Sequence, residues 1–422
     1  MRRPARPPGV PIPETITPRP VPASDTGRER TIWADVAKGM CILLVVLWHV
    51  VTKHYLRIDW HVSPPIPGAW GVLTEQLLPL RMPLFFTISG MFAVGAVGRP
   101  WRVLGRSKVA RFLYLYAVWL LIHTMLLALV PDFDTARAIG PLDLLAQLTI
   151  TPSNLWYLYA LALYFAIAKA ARRLPAALVL GAALTLSAAA SAGLLETPGN
   201  RGGLYQNLVF FLAGLYFRPL VERLAATASR PRLAALGLSY AAALLAMTAT
   251  GARAWPGVWP AVCVLATILG VTAAARISRW AALGDALARL GRNTLPVYII
   301  HMPLLALLHQ ALLPALSTGM DGRLRLPLTV AEPLLMSALL VWLCLTLHQG
   351  LLRAGATWLF DLPKRRGPRA RLSPGTGVVL ASPSPLTDGH TAEFPTVRAQ
   401  SDPDPVGSAI AMQTSSPDTE RM

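Results

Sequence analysis

Three ionisable side chains stand in one apolar stretch near the start of the chain, and one of them is suited to proton transfer. The stretch Ala34–Val51 reads ADVAKGMCILLVVLWHVV, with Asp35 and Lys38 at one end and His49 near the other. An imidazole titrates near neutral pH and can take the proton of an attacking hydroxyl. Ionisable groups are costly to bury among apolar residues, so their presence indicates chemistry rather than a plain membrane anchor.

The spacing of these residues places them on one side of a helix. Asp35 and Lys38 are three residues apart, and His49 follows Lys38 by eleven residues, which is about 1100° of rotation and roughly 16 Å of rise. Such a polar stripe is predicted to face a protein interior or a water-filled cavity. The alternative is that Asp35 and Lys38 lie at the membrane interface and that His49 is an ordinary residue at the other edge.

A second apolar stretch, LRMPLFFTISGMF, carries an arginine in its interior. Arg81 is expensive in such a place unless it is paired, so it is predicted to hold a polar or anionic group. The alternative is that Arg81 neutralises a buried carboxylate such as Glu75 or Glu332. Ser89 and Gly90 are predicted to let another helix pack closely.

Apolar segments that alternate with short polar loops recur along the chain and hold these residues. Apolar residues make up 54% of the 422 residues and charged residues 14%, against roughly 25% charged in soluble domains. The pattern predicts an all-α fold, a polytopic membrane helical bundle of about ten transmembrane helices. The predicted spans lie near residues 33–51, 72–96, 109–130, 154–171, 175–195, 204–218, 233–250, 257–275, 294–315 and 330–352.

The distribution of charge sets the predicted orientation and excludes one class of partner. A net charge of +18 would suit a nucleic-acid-binding protein, but the Arg and Lys residues cluster in alternate loops between apolar segments. We therefore expect no nucleic acid partner, and we expect both termini in the cytoplasm. Pro-rich and polar composition predicts disordered tails at 1–30 and 365–422 around a membrane domain at 31–355. The three cysteines stand in apolar segments without metal-ligand spacing, so no metal is predicted.

Several sequence elements together resemble one known family. DVAKGMCILLVVLWH followed by MPLFFTISGMF resembles the acyltransferase-3 family of integral membrane acyltransferases. Lys38 and His49 match its pattern of a basic residue, ten intervening residues and a histidine, with Lys where many members have Arg. NLWYLYALALYF and LGRNTLPVYIIHMPLL are similar to two further family segments. The resemblance covers residues 30–350.

The resemblance implies a reaction and a location. Members transfer an acyl group from cytoplasmic acyl-CoA to a hydroxyl at the outer side of the membrane, and the acceptor is usually a carbohydrate. We therefore expect a multi-pass plasma membrane protein that uses acyl-CoA, with acetyl-CoA as the expected donor. The expected partners are the lipid bilayer and a carbohydrate or glycolipid acceptor. The acyl group, the acceptor and the oligomeric state stay open, and the rival function is a proton-coupled transporter or flippase.

Residue roles follow from the resemblance and the chemistry. His49 is expected to act as general base, with a covalent acyl-histidine as the alternative. Arg81 is expected to stabilise the oxyanion or hold the acceptor. Four basic side chains are expected to bind the CoA phosphates, although cytoplasmic loops are basic in any case: Lys38, Arg99, Arg102 and Arg106.

The remaining candidates concern the acceptor and the frame of the site. Asn154, Trp156 and Tyr157 are predicted to form an acceptor platform, with an ordinary interfacial aromatic belt as the alternative. His301 is predicted to help with the thioester or with packing, near the cytoplasmic end of its span. The residues expected to orient the site or support it structurally are Asp35, Ser89 and Gly90.

Overall fold

The computed structural model describes residues 25–60, 66–197, 201–318 and 322–363, and these residues contain helices and no β-strand. The predicted tail at 1–30 lies outside the described residues as far as residue 24, and the first helix begins within it, at Asp25. The predicted tail at 365–422 lies wholly outside them. An all-α fold is therefore confirmed for the described part of the chain.

The described residues form sixteen α-helices, of which the longest are apolar along most of their length. They are α1 (Asp25–Lys53), α2 (Ile66–Gln76), α3 (Leu78–Gly98), α4 (Trp101–Leu104), α5 (Arg111–Leu127), α6 (Pro141–Thr149), α7 (Trp156–Ala170), α8 (Ala176–Ser191), α9 (Gly202–Gln206), α10 (Leu208–Tyr216), α11 (Arg218–Ala226), α12 (Arg230–Ala249), α13 (Val258–Ile277), α14 (Ala281–Arg292), α15 (Thr294–Thr318) and α16 (Gly322–Arg353). A π-helix at Gly105–Ala110 joins α4 to α5 without a break.

Each of the ten predicted spans coincides with helix, and seven helical segments within the described ranges are long and apolar enough to cross a membrane. These seven are Ile32–Arg57, Ile66–Gly98, Trp101–Leu127, Arg230–Ala249, Val258–Ile277, Thr294–Ser317 and Arg325–Arg353. The other three predicted spans form shorter helices, namely α7, α8 and the pair α9 and α10. Pro175 holds Leu174 in an extended conformation and separates α7 from α8 at the predicted boundary. The prediction of a polytopic helical membrane protein is confirmed.

Helix α1 touches α14 backbone to backbone, and two glycines permit it. A Cβ atom on Gly39 would lie 2.2 Å from the carbonyl oxygen of Leu287, and one on Gly291 would lie 1.8 Å from that of Asp35. Both distances are far below van der Waals contact, so neither position admits a side chain without moving a helix. This close crossing fixes the position of α1 along its axis relative to α14, and with it the position of the polar stripe on α1.

Helices α3 and α10 meet in the same way. A Cβ atom on Gly90 would lie 1.9 Å from the Phe211 carbonyl oxygen, and one on Gly214 would lie 2.0 Å from that of Thr87. Helix α1 in turn packs against α3, α13, α14, α15 and α16. Side chains from α3, α15 and α16 therefore meet those of α1 along its length.

Candidate active site

His49 on α1 is paired with His301 on α15. The Nδ1 atom of His49 lies 3.3 Å from the Nε2 atom of His301, and the two ring centroids are 5.0 Å apart. His301 is only 2% exposed. We call these two residues the first histidine pair. The sequence placed both residues among the candidates but predicted no contact between them, because 252 residues separate them.

Backbone carbonyls assign the tautomers of the first histidine pair. The Nδ1 atom of His301 lies 2.7 Å from the Tyr298 carbonyl oxygen and 3.0 Å from that of Val297. The Nδ1 atom of His49 lies 2.8 Å from the Val45 carbonyl oxygen. A carbonyl oxygen only accepts, so each neutral ring carries its proton on Nδ1. His301 Nε2 then accepts from His49, and the Nε2 atom of His49 is left with the lone pair that a general base needs.

Arg81 on α3 lies beside this pair. Its guanidinium carbon is 4.3 Å from the ring centroid of Trp48, and the Trp48 ring meets the His49 ring edge to face at 4.7 Å. Arg81 is 8% exposed, and its Nε and Nη1 atoms have no hydrogen-bond partner among the described residues. Stacking on an indole stabilises the cation and leaves these N–H groups without an acceptor. They are available to a group that carries negative charge.

The alternative role of Arg81, neutralising a buried carboxylate, finds no support in the described part of the chain. No ion pair joins Arg81 to Glu75 or Glu332 there. Glu332 is buried elsewhere, with its Oε1 atom 3.0 Å from the Nε2 atom of His54.

A cavity of about 520 Å³ opens at the Lys38 end of α1. Its walls include the aromatic rings of Phe92, Phe112 and Phe165. Four basic side chains line it, and they are Lys38, Lys108, Arg111 and Arg292. We call it the basic cavity. Asp35 holds two of the cations at its edge, because its carboxylate lies 2.6 Å from the Lys38 Nζ atom and 3.7 Å from Arg292 Nη1.

The basic residues of the loop between α3 and α5 divide into two groups. Lys108 stands on the π-helix with its Nζ atom 5.7 Å from the ring centroid of Phe165, and it lines the cavity together with Arg111. A π-helix is an irregularity that often accompanies a functional site. Three predicted CoA ligands on the same loop are exposed and do not line the cavity: Arg99, Arg102 and Arg106. Their role stays a prediction, and Arg292 was not among the candidates.

A tyrosine network lies between the basic cavity and the first histidine pair. The Tyr298 hydroxyl donates to the Asn154 carbonyl oxygen at 3.0 Å and accepts from the Tyr157 backbone N–H at 3.1 Å. The Tyr157 hydroxyl in turn lies 2.9 Å from Ser89 Oγ. Tyr298 precedes His301 by three residues, and their rings are 6.1 Å apart. The network therefore ties α3, α7 and α15 together at the floor of the cavity.

Two of the predicted acceptor ligands have structural contacts. The Asn154 side-chain amide donates to Thr135 Oγ1 and to the Ala136 carbonyl oxygen. The Trp156 ring packs against that of Phe86 with centroids 5.9 Å apart. Tyr157 is the third predicted residue, and it lines the basic cavity. An acceptor role for these residues stays a prediction.

Comparisons with known proteins point to one class. A family model described as an acyltransferase domain matches residues 31–349. Among curated proteins, the inner membrane protein YcfT of Escherichia coli (strain K12) is 25% identical over 206 residues, which cover 45% of this chain and 57% of that protein. The match thus spans little more than half of the relative's length. No solved structure matches the chain.

Proposed function

The chain belongs to the acyltransferase family whose model it matches, and from this premise we propose that it is a membrane O-acyltransferase. The proposed donor is cytoplasmic acyl-CoA, with acetyl-CoA expected, and the proposed acceptor is a carbohydrate or cell-envelope glycan hydroxyl at the outer side. The observation that carries the proposal is the first histidine pair, which lies next to the buried Arg81. Two nitrogens of Arg81, Nε and Nη1, have no hydrogen-bond partner among the described residues.

The basic cavity supports the choice of donor. Coenzyme A carries several phosphate groups and an aromatic base, and cations interleaved with aromatic rings bind both. The cavity of about 520 Å³ is within the range of ligand sites. It opens at the Lys38 end of α1, which the charge distribution of the loops assigns to the cytoplasm. The donor would enter there and place its thioester toward the tyrosine network.

The proposed chemistry uses the assigned tautomers. The Nε2 atom of His49 takes the proton of the acceptor hydroxyl while the oxygen attacks the thioester carbonyl carbon. The Arg81 N–H groups stabilise the oxyanion that forms. Collapse of the tetrahedral intermediate breaks the carbon–sulfur bond, and the thiolate of CoA receives the proton from the His49 imidazolium. His301 is a positioning residue, since it accepts the Nδ1 proton of His49 and keeps that ring in the reactive orientation.

The test is release of free thiol from acetyl-CoA by the purified full-length protein in liposomes, with and without candidate glycans. We expect glycan-dependent release that the His49→Ala variant loses. The matched control is His123→Gln, because His123 is a buried histidine whose contacts are the Ile299 carbonyl oxygen and the Trp119 ring, not another histidine. A glutamine keeps an N–H donor at that position.

Two results would contradict the proposal. Equal release by the wild type and the His49→Ala variant would remove His49 from the mechanism. No release with any acyl-CoA, from protein shown to be folded, would favour the transporter.

A further inference from the structure

A second cluster of titratable side chains lies further along the contact between α1 and α15. His54, directly after α1, has its Nδ1 atom 2.9 Å from the Nδ1 atom of His309 on α15. Its Nε2 atom lies 3.0 Å from the Oε1 atom of Glu332 on α16. Exposure is 0% for His54, 9% for His309 and 6% for Glu332. We call these three residues the second histidine cluster, and the proposed reaction uses none of them.

The arrangement is a chain and not a metal site. The two ring nitrogens of His54 point to different partners, His309 on one side and Glu332 on the other. A metal ion would need one atom from each residue to converge on a single point, and the described residues contain no such group of three ligands. A row of one carboxylate and two imidazoles is suited to binding protons and not a metal ion.

The short contact between the two Nδ1 atoms limits how many protons the cluster holds. At 2.9 Å the contact is a hydrogen bond only if one of the two nitrogens carries a proton and the other offers its lone pair. The contact therefore holds one proton between the two nitrogens. A second proton would turn two N–H groups toward each other, which breaks the contact.

We propose that Glu332, His54 and His309 form a proton-binding latch between α1, α15 and α16. The latch is closed when His309 Nδ1 is unprotonated or shares a single proton with His54, and it opens when both imidazoles are charged. Opening separates α1 from α15 next to the first histidine pair, so acidity at that end of the bundle lowers acyl transfer. The effect on transfer rests on the proposed function, whereas the latch itself does not.

The surroundings of the latch permit a local opening. Val51, Tyr55, Ile58 and Trp60 form a small apolar cluster here, separate from the main core.

The other titratable or charged groups on or beside the packed elements are Lys53, Tyr55, Arg57, Asp59, Asp134, Arg323 and Arg325.

Three of these groups form an ion-pair set with one another. The Asp134 carboxylate lies 3.0 Å from Lys53 Nζ and 2.7 Å from Arg57 Nη2. The hydrogen bond and charge of Lys53, and then the charge of Arg57, lower the pKa of Asp134. Asp134 therefore stays ionised wherever a histidine titrates, and it adds no pH step of its own in that range.

The first arm of the test measures unfolding temperature between pH 8 and pH 5 for the full chain in nanodiscs, without substrate. The closed latch holds one proton fewer than the two separated imidazoles can bind, so acid favours the open or unfolded chain, and stability is lost as pH falls. We expect a Tm decrease of several degrees in the wild type and a smaller one in His309→Asn, whose amide cannot take a proton. His123→Gln measures the share of a single buried histidine outside the latch. His309→Asn should reduce the decrease by more than that share, because it also leaves His54 without a second imidazole against it.

A second variant protects the test against a folding failure. Glu332→Gln removes the negative charge that favours imidazolium and keeps the size of the side chain, so it should move the Tm decrease to lower pH. Superimposable pH profiles for the wild type, His309→Asn and Glu332→Gln would overturn the latch.

The second arm follows acetyl-CoA turnover against pH. Wild-type turnover should decline more steeply with acid than His309→Asn turnover, and identical pH profiles would refute the coupling to transfer. If no variant turns over acetyl-CoA, the proposed function fails, and the Tm arm still decides on the latch.

Discussion

The first histidine pair and the second histidine cluster each join a histidine on α1, or directly after it, to a histidine on α15, yet their surroundings differ. In the first pair, carbonyls within α1 and α15 hold both Nδ1 protons, and the nearby charge is Arg81. In the second cluster, the two Nδ1 atoms face each other and a carboxylate stands behind them. A fixed tautomer beside a cation suits a base with a free lone pair, whereas facing nitrogens beside an anion suit proton storage.

Replacing the proposed general base should produce the largest difference in turnover between the two histidine sites. His49→Gln should lower turnover by roughly 10²- to 10⁴-fold, the usual contribution of a general base. His54→Gln should cost far less at pH 7.5, because His54 does not touch the reacting groups. Thiol release under saturating acetyl-CoA compares the two variants. Similar losses in both would mean that the two histidine sites are not functionally distinct.

The charge beside the first pair provides the next test. Arg81→Met should lower turnover by about 10²- to 10³-fold, as expected when an oxyanion-stabilising donor is lost. It should leave the Tm nearly unchanged, since two of the guanidinium nitrogens have no hydrogen-bond partner among the described residues. Kinetics and thermal unfolding on the same preparation measure both quantities. A large loss of Tm with unchanged turnover would show that Arg81 is structural.

The basic cavity lies at the end of α1 that carries Lys38, and it provides the third test. Lys108→Ala should raise the KM for acetyl-CoA by about tenfold, since a charge-assisted hydrogen bond contributes roughly 1.5–3 kcal/mol. Arg106→Ala is the matched control on the same loop, because Arg106 is exposed and does not line the cavity. Equal effects of both variants would indicate a diffuse electrostatic attraction rather than a built site.

The smallest effect is expected from the positioning residue. His301→Leu removes the more distant of the two acceptors of the His49 Nδ1 proton and leaves the Val45 carbonyl oxygen. The loss of this second contact predicts at most about a tenfold lower kcat. His301→Gln should recover part of it, because its amide oxygen can accept near the position of Nε2. Steady-state kcat and KM separate this role from packing. An equal loss in both variants would assign His301 to the core.

Much of the candidate site was predictable from local sequence. Lys38 and His49 lie on one helix, so their spacing alone predicts a common polar stripe. Arg81 is conspicuous in the sequence because a cation in an apolar segment is costly to bury and usually has a function. The predicted helices coincide with observed ones, whereas three predicted spans form helices shorter than a membrane span. Pro175 separates two of those helices, α7 and α8, at the boundary that the sequence predicted, because it holds Leu174 in an extended conformation.

The sequence by itself determined the class of fold, the family and the helix that carries the base, because apolar segments in a membrane satisfy their backbone only as helices. Only the tertiary structure decided which side chains meet. It placed His301 beside His49 and His309 beside His54, and it selected Lys108 over Arg106 for the cavity. These contacts depend on how helices cross, and the crossing of α1 with α14 is set by backbone contact at two glycines whose partners are hundreds of residues away.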